Sequence, residues 1–197
     1  MDESFFNDQL LQPDFMVYLY SQGAFPMADE NGTIDWYMPE VRTIIRLDDY
    51  NYPRSLRKFL ETSDFEFRYD YDAISVIRGC ADREETWISE KLIDAYKRLI
   101  DARHLHSVEV YRNNMLVGGL YGIAVNGAFF GESMFSRVPQ ASKCALIRLI
   151  ERLNEKGFVL LDVQYMTEHL KMFGAAEISL AEFKELLKKA ADRPAEF

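Results

Sequence analysis

The chain has 197 residues, 48% of them hydrophobic and 28% charged, and its 11 Tyr and 14 Phe can furnish a sizeable core. That length suits one large domain, or one domain with a small appendage. The net charge of -9 argues against a broad nucleic-acid-binding face, no apolar run approaches a bilayer span, and the acidic start Met1-Asp2-Glu3 lacks the basic region of a signal peptide, so a cytoplasmic chain without membrane association is expected.

The first expected element is a short helix from Phe15 to Gln22, stopped by Gly23. Ala24 to Met27 reads as extended, because Pro26 disfavours helix at Phe25. The polar turn Asp29-Glu30-Asn31-Gly32 leads to Trp36, and a small N-terminal unit is expected to end at residue 42, with the main domain spanning 43–197. Thr43 to Leu47 is a β-branched run. Pro53 introduces a helix over Arg54 to Glu61. Phe65 to Tyr69 alternates with the period of a half-buried strand. Tyr71 to Cys80 and Ser89 to Arg103 read as helices, the second capped by Ser89. A meander follows. Ser107 to Arg112, Met115 to Val125 and Ala128 to Phe135 are strands, joined by the turn signals Asn113-Asn114 and Asn126-Gly127. Ala141 to Glu155 is a long helix ending at Gly157, Phe158 to Val163 is short enough for a buried strand, and Thr167 can cap a helix through Phe173. Ser179-Leu180-Ala181-Glu182 is a capping box that opens the last helix. This order gives an α+β domain with a mixed sheet, in which the long helix crosses between parallel strands, as in GNAT-like acyltransferases.

Three polar residues stand where a core-making sequence would not place them. Glu132 lies between Phe129-Phe130-Gly131 and Met134-Phe135, Asp162 ends the run Phe158 to Leu161, and Gln164 follows two residues on. The spacing predicts that Asp162 and Gln164 share one strand face, near strand ends where open sheets bind ligands. A buried carboxylate needs a partner. Capping of the next helix by Asp162 and pairing of Glu132 with Arg137 would each supply one, whereas convergence of all three residues favours a functional site. Cys80 and Cys144 have neither a CxxC nor a histidine companion and read as buried thiols; His104, His106 and His169 form no ligand set, so no metal site is expected. No phosphate-binding GxxxxGK[ST] loop and no HExxH is present.

Gly131-Glu132-Ser133-Met134-Phe135-Ser136 resembles the signature of leucyl/phenylalanyl-tRNA–protein transferases. So does Leu161-Asp162-Val163-Gln164 followed by Thr167, His169 and Phe173-Gly174-Ala175. Tyr20 to Pro26 (YSQGAFP), Trp36 to Arg42 (WYMPEVR), Thr86-Trp87-Ile88, His106 to Val110 and Leu116 to Gly122 (LVGGLYG) match in the same order. The chain departs from the family pattern at Glu85, at Met27, where a tryptophan is usual, and at Ile178-Ser179-Leu180.

The resemblance implies aminolysis of an activated ester. Leucine or phenylalanine moves from aminoacyl-tRNA to the N-terminal arginine or lysine of a protein, marking it for N-degron degradation; a donor slot with only apolar walls predicts that methionine is accepted as well. No cofactor is required, and a monomer is expected. The resemblance places Glu132 on the donor α-ammonium and Asp162 and Gln164 at the reacting centre. Three proton acceptors stay open: Gln164 polarised by Asp162, Asp162 itself, and the tRNA ribose. It places Leu120, Met134, Leu146, Leu149, Leu153 and Leu161 around the donor side chain and Met27 beside the 3′ adenosine; Trp87 is the expected stacking platform for that adenine, and Tyr20 and Phe25 either line the same entrance or pack the N-terminal unit on the main domain. Arg54, Arg57, Lys58, Lys143 and Arg148 are candidates for stem phosphates, although such sets are usually solvated faces. The alternative enzyme is a CoA-dependent N-acetyltransferase of GNAT type. It needs a glycine-bearing pyrophosphate loop, and Gln140-Ala141-Ser142-Lys143 at the start of the long helix has no glycine.

Overall fold

The computed structural model describes residues 9–197; most of the acidic N-terminal stretch read above as lacking signal-peptide character lies outside them. Helix α1 (Pro13–Ser21) has Pro13 in its first turn and stops at Gly23. Gly23 takes φ +92°, and a Cβ there would stand 2.9 Å from the Phe183 ring, so backbone freedom and close approach both call for glycine. The turn feeds a small antiparallel hairpin of β1 (Phe25–Ala28) and β2 (Ile34–Tyr37), in which Phe25 pairs with Tyr37 and Met27 with Asp35.

Among the described residues the main sheet has seven strands. They are β3 (Val41–Ile45), β4 (Glu66–Tyr69), β5 (Leu105–Arg112), β6 (Met115–Val125), β7 (Ala128–Ser136), β8 (Leu160–Gln164) and β9 (Ala175–Ser179). Their order is β4-β5-β6-β7-β8-β3-β9. Only β7 and β8 run parallel, joined through helix α5 (Ala141–Glu155); the other neighbours are antiparallel. The sheet is therefore mixed, as the element order predicts. The two β turns form because Asn113, Asn114 and Asn126 all adopt the positive φ that tight hairpins require.

Alternation along the strands builds two apolar layers on opposite faces. Ile44, Tyr121, Ile123, Phe130 and Leu160 join one layer with α1, helix α3 (Ala73–Ala81), helix α4 (Glu90–Asp101) and helix α7 (Leu180–Ala191). Ile45, Leu120, Phe129 and Leu161 join the other with α5 and helix α2 (Arg54–Thr62). Ser89 caps α4, Thr167 caps the short helix α6 (Glu168–Lys171), and Ser179 with Glu182 closes the expected capping box of α7. Among the described residues, no helix is long and apolar enough to cross a membrane.

Two strands were not expected: β2, where the sequence suggests only a turn leading to Trp36, and β9. β9 pairs along the whole of β3, where the sequence reading has only a link between the Thr167 helix and the Ser179 cap. Both cysteines are free and buried, and burial pushes Cys80 up to about 12 and Cys144 to about 11. Neither is a thiolate nucleophile at neutral pH.

Candidate active site

The parallel pairing of β7 and β8 is short. It joins Ala128 to Leu160, Phe129 to Leu161 and Phe130 to Asp162, and stops there. β7 continues to Ser136 and β8 to Gln164 without further ladder contacts between them. A cleft of about 380 Å³ occupies the gap. It is lined by residues from both apolar layers, so it passes through the sheet rather than lying on one face.

Glu132 is the extra residue of a β-bulge. Tyr121 pairs with Ser133 and Gly122 with Gly131, leaving Glu132 without a partner on β6. Gly122 permits this, because a Cβ there would meet the Phe130 carbonyl at 2.3 Å and the Phe129 ring at 2.4 Å. The bulge shifts the phase of the strand. Glu132 turns toward Tyr20 and Tyr96 in one layer, while Met134, two residues on, packs with the other.

The Glu132 carboxylate accepts the Tyr20 hydroxyl on Oε1 at 2.9 Å and the Tyr96 hydroxyl on Oε2 at 3.1 Å. These tyrosines, not Arg137, are its partners; the Arg137 guanidinium lies over the Phe135 ring. Tyr121 packs edge-on to Tyr96 at 5.4 Å, and its buried hydroxyl has no partner among the described residues. Burial pushes the Glu132 carboxyl from 4.5 to about 8, against the pull of the two tyrosine hydrogen bonds. A carboxyl raised in this way holds a proton that the unfolded chain has already released. Its effect on stability is thus nil below about pH 4.5 and grows more unfavourable as pH rises through the window up to about 8. Glu132→Gln should match the parent's melting temperature at about pH 4 and exceed it by a margin that widens up to about pH 8. Thermal melts across that range check this, and a difference independent of pH would contradict it.

Asp162 and Gln164 do not share a face. Ile44 pairs with Asp162 and Thr43 with Gln164, so two residues of β3 oppose three of β8, and Gln164 takes φ +56°. These irregularities break the alternation that the spacing predicts. Asp162 is fully buried and is not among the residues that line the cleft. Its Oδ1 accepts Arg42 Nε at 2.8 Å and its Oδ2 accepts Arg42 Nη2 at 2.5 Å. It caps no following helix; it accepts the main-chain N–H of Gln164 on Oδ1 at 3.0 Å instead. Gln164 lines the cleft. It is only 7% exposed, and its Nε2 has no partner among the described residues.

Five of the six slot residues line the cleft: Leu120, Met134, Leu146, Leu149 and Leu161. Leu153 does not; one turn further along α5, it is fully buried in the core. At the mouth, Phe25, Met27 and Trp87 line the wall, whereas Tyr20 sits behind it on Glu132. Sequence reasoning missed Arg42, Tyr96, Tyr121 and Arg83. Arg83 stands at the mouth, its guanidinium donating to the Cys80 carbonyl at 2.7 Å and to Ser133 Oγ at 3.1 Å. Arg42 and Tyr121 fall inside the matched segments; Tyr96 and Arg83 carry no signal beyond helical spacing and charge. Of the surface cations, Arg148 pairs with Glu151 and lies over Phe67, and Arg57 lies over Tyr52.

A buried carboxylate and a buried unpaired amide beside an apolar slot suit a substrate that carries an amine next to a greasy side chain. The family model described as leucyl/phenylalanyl-tRNA protein transferase matches residues 44–188, and the one for its N-terminal domain matches residues 10–40. Similar relatives include leucyl/phenylalanyl-tRNA–protein transferases from Rubrobacter xylanophilus (49% identity over 91% of this chain and 95% of that one) and Herpetosiphon aurantiacus (46% over 95% and 98%). A third, from Ruegeria sp., is 43% identical over 95% of this chain and 90% of that one. These findings make the chain an aminoacyltransferase. It belongs to the leucyl/phenylalanyl-tRNA–protein transferase family, and it moves an amino acid from aminoacyl-tRNA to protein.

Proposed function

We propose that the chain transfers leucine, phenylalanine and methionine to proteins whose N-terminal residue is arginine or lysine, marking them as N-degron substrates in the cytoplasm. The observation that carries the reading is the cleft through the β7–β8 gap, which sets Glu132 and Gln164 beside an apolar slot.

In this reading the donor side chain lies among Leu120, Met134, Leu146, Leu149 and Leu161. A slot with only apolar walls admits flexible or flat side chains and disfavours β-branched ones by shape, each misfit worth roughly 1–3 kcal/mol. Glu132 takes the donor α-ammonium. The arriving cation makes ionisation favourable in a site where burial alone opposes it, and the Tyr20 and Tyr96 hydroxyls hold the carboxylate in place. The 3′ adenine stacks on Trp87, with Phe25 and Met27 beside it, Met27 giving a softer contact than an aromatic ring would. Gln164 reaches the reacting ester and positions the incoming amine. In this reading Asp162, with both oxygens held by Arg42, orients Gln164 through its main chain rather than taking the proton itself. The acidic balance of the chain favours approach of a cationic N-terminus.

Transfer from a series of charged tRNAs to peptides that differ only in their first residue tests this. Leu-, Phe- and Met-tRNA should serve as donors, with Val- and Ile-tRNA at least about tenfold slower, and arginine or lysine acceptors should outcompete glutamate. Inert Met-tRNA beside active Leu-tRNA, or valine transferred as fast as leucine, would overturn the slot.

A further inference from the structure

Arg42 is fully buried and sits 120 positions before its partner Asp162 in the chain. Its guanidinium is used on every side. Nε and Nη2 form the two-pronged contact with Asp162, and Nη1 donates to the Gly23 carbonyl at 2.9 Å. Its faces lie over the Phe25 ring at 4.7 Å and the Phe183 ring at 4.6 Å. It therefore joins the N-terminal hairpin, the last helix and strand β8 at one point.

The Oδ1 atom that accepts Arg42 Nε also accepts the Gln164 N–H. Tyr165 N–H returns to the Val163 carbonyl at 2.7 Å, closing a three-residue turn centred on Gln164 at φ +56°. A glutamine in that conformation is disfavoured and persists only where its surroundings over-determine it. Here the fixing contact is the Asp162 carboxylate, and Arg42 fixes that carboxylate. Without the turn, regular strand geometry would not hold the amide in the cleft wall as it stands.

We propose that Arg42 is a positioning residue for the transfer reaction: through Asp162 it holds the backbone turn that delivers the Gln164 amide into the cleft. It touches no substrate. A lysine would keep the charge but lose the planar two-pronged fit and the stacking on both rings. The proposal rests on the reading of Gln164 as a residue of the reaction.

The test is a kinetic cycle of the parent, Arg42→Lys, Gln164→Ala and the double variant, with kcat and KM for Phe-tRNA measured on folded protein. Arg42→Lys should lower kcat by about tenfold or more and leave KM within about twofold, since a misplaced catalytic group affects the transition state more than donor binding. Gln164→Ala should be slower still, and adding Arg42→Lys to it should cause no further loss. A loss by Arg42→Lys that persists in full on the Gln164→Ala background, or one carried by KM, would overturn the proposal. The cycle keeps two failures apart: full activity of Gln164→Ala removes the reading of Gln164, whereas the comparison of backgrounds judges Arg42. Should Arg42→Lys fail to fold, Arg42→Met with Asp162→Asn takes its place. That pair removes both charges, keeps an acceptor for the Gln164 N–H without anchoring it, and should show the same dependence on Gln164.

Discussion

Glu132→Gln should lower kcat/KM for aminoacyl transfer by about 100-fold or more. Glutamine has the same shape as glutamate and can still accept the Tyr20 or Tyr96 hydroxyl, so the wall of the cleft survives the change. What disappears is the negative charge. In the proposed reading, the donor α-ammonium would then enter a buried site with nothing to neutralise it. An uncompensated buried charge costs about 3–5 kcal/mol, and most of that appears as lost transition-state binding. The same variant should melt higher than the parent above neutral pH, because the raised Glu132 carboxyl is a burden on the empty fold. Activity and stability therefore move in opposite directions, which a general disturbance of the fold would not do. Steady-state transfer from Phe-tRNA checks the first effect, and activity within about threefold of the parent would contradict it.

The second large effect concerns stability. Asp162→Ala should destabilise the chain by about 3–5 kcal/mol, since it strands the Arg42 guanidinium in the core. For a chain of this length that corresponds to a fall in melting temperature of roughly 10 °C. Removing both partners is different: Arg42→Met with Asp162→Leu should recover most of the loss, because neither charge is left unpaired. The apolar neighbours Phe25 and Phe183 favour that exchange. Thermal or urea unfolding of the single and paired variants checks this, and an Asp162→Ala variant within about 1 kcal/mol of the parent would contradict it. Low activity of Asp162→Ala alone is therefore not a measure of its part in the chemistry.

The regular elements were legible because local chemistry sets their ends. Met115 to Val125 and Ala141 to Glu155 follow the residues expected, bounded by asparagine turns and by Gly157 at φ +80°. β9 was not legible, because Ala175-Ala176-Glu177-Ile178-Ser179 has only one strongly β-forming residue and gains its structure as an edge strand from pairing with β3. At the site, the residue types were legible and their directions were not. The spacing of Asp162 and Gln164 follows a period of two, and nothing at Gln164 signals a positive φ, since glutamine is not a residue that usually adopts one. The bulge at Glu132 is equally silent until the pairing with β6 is known. Arg42 shows only as a cation beside a strand, because its partner lies 120 residues away. The leucine stripe of α5 was legible as a stripe, but where the cleft ends along it was not: it stops after Leu149, and Leu153 belongs to the core.

The central claim is that the β7–β8 gap holds the aminoacyl end of the donor. A crystal structure with a non-hydrolysable phenylalanyl-adenosine amide tests it most directly. The phenyl ring should lie among Leu146, Leu149 and Leu161, the α-ammonium should approach Glu132 to about 3 Å, and the adenine should face Trp87. An analogue bound outside the gap, or one whose phenyl ring turns away from Leu146 and Leu149, would contradict it.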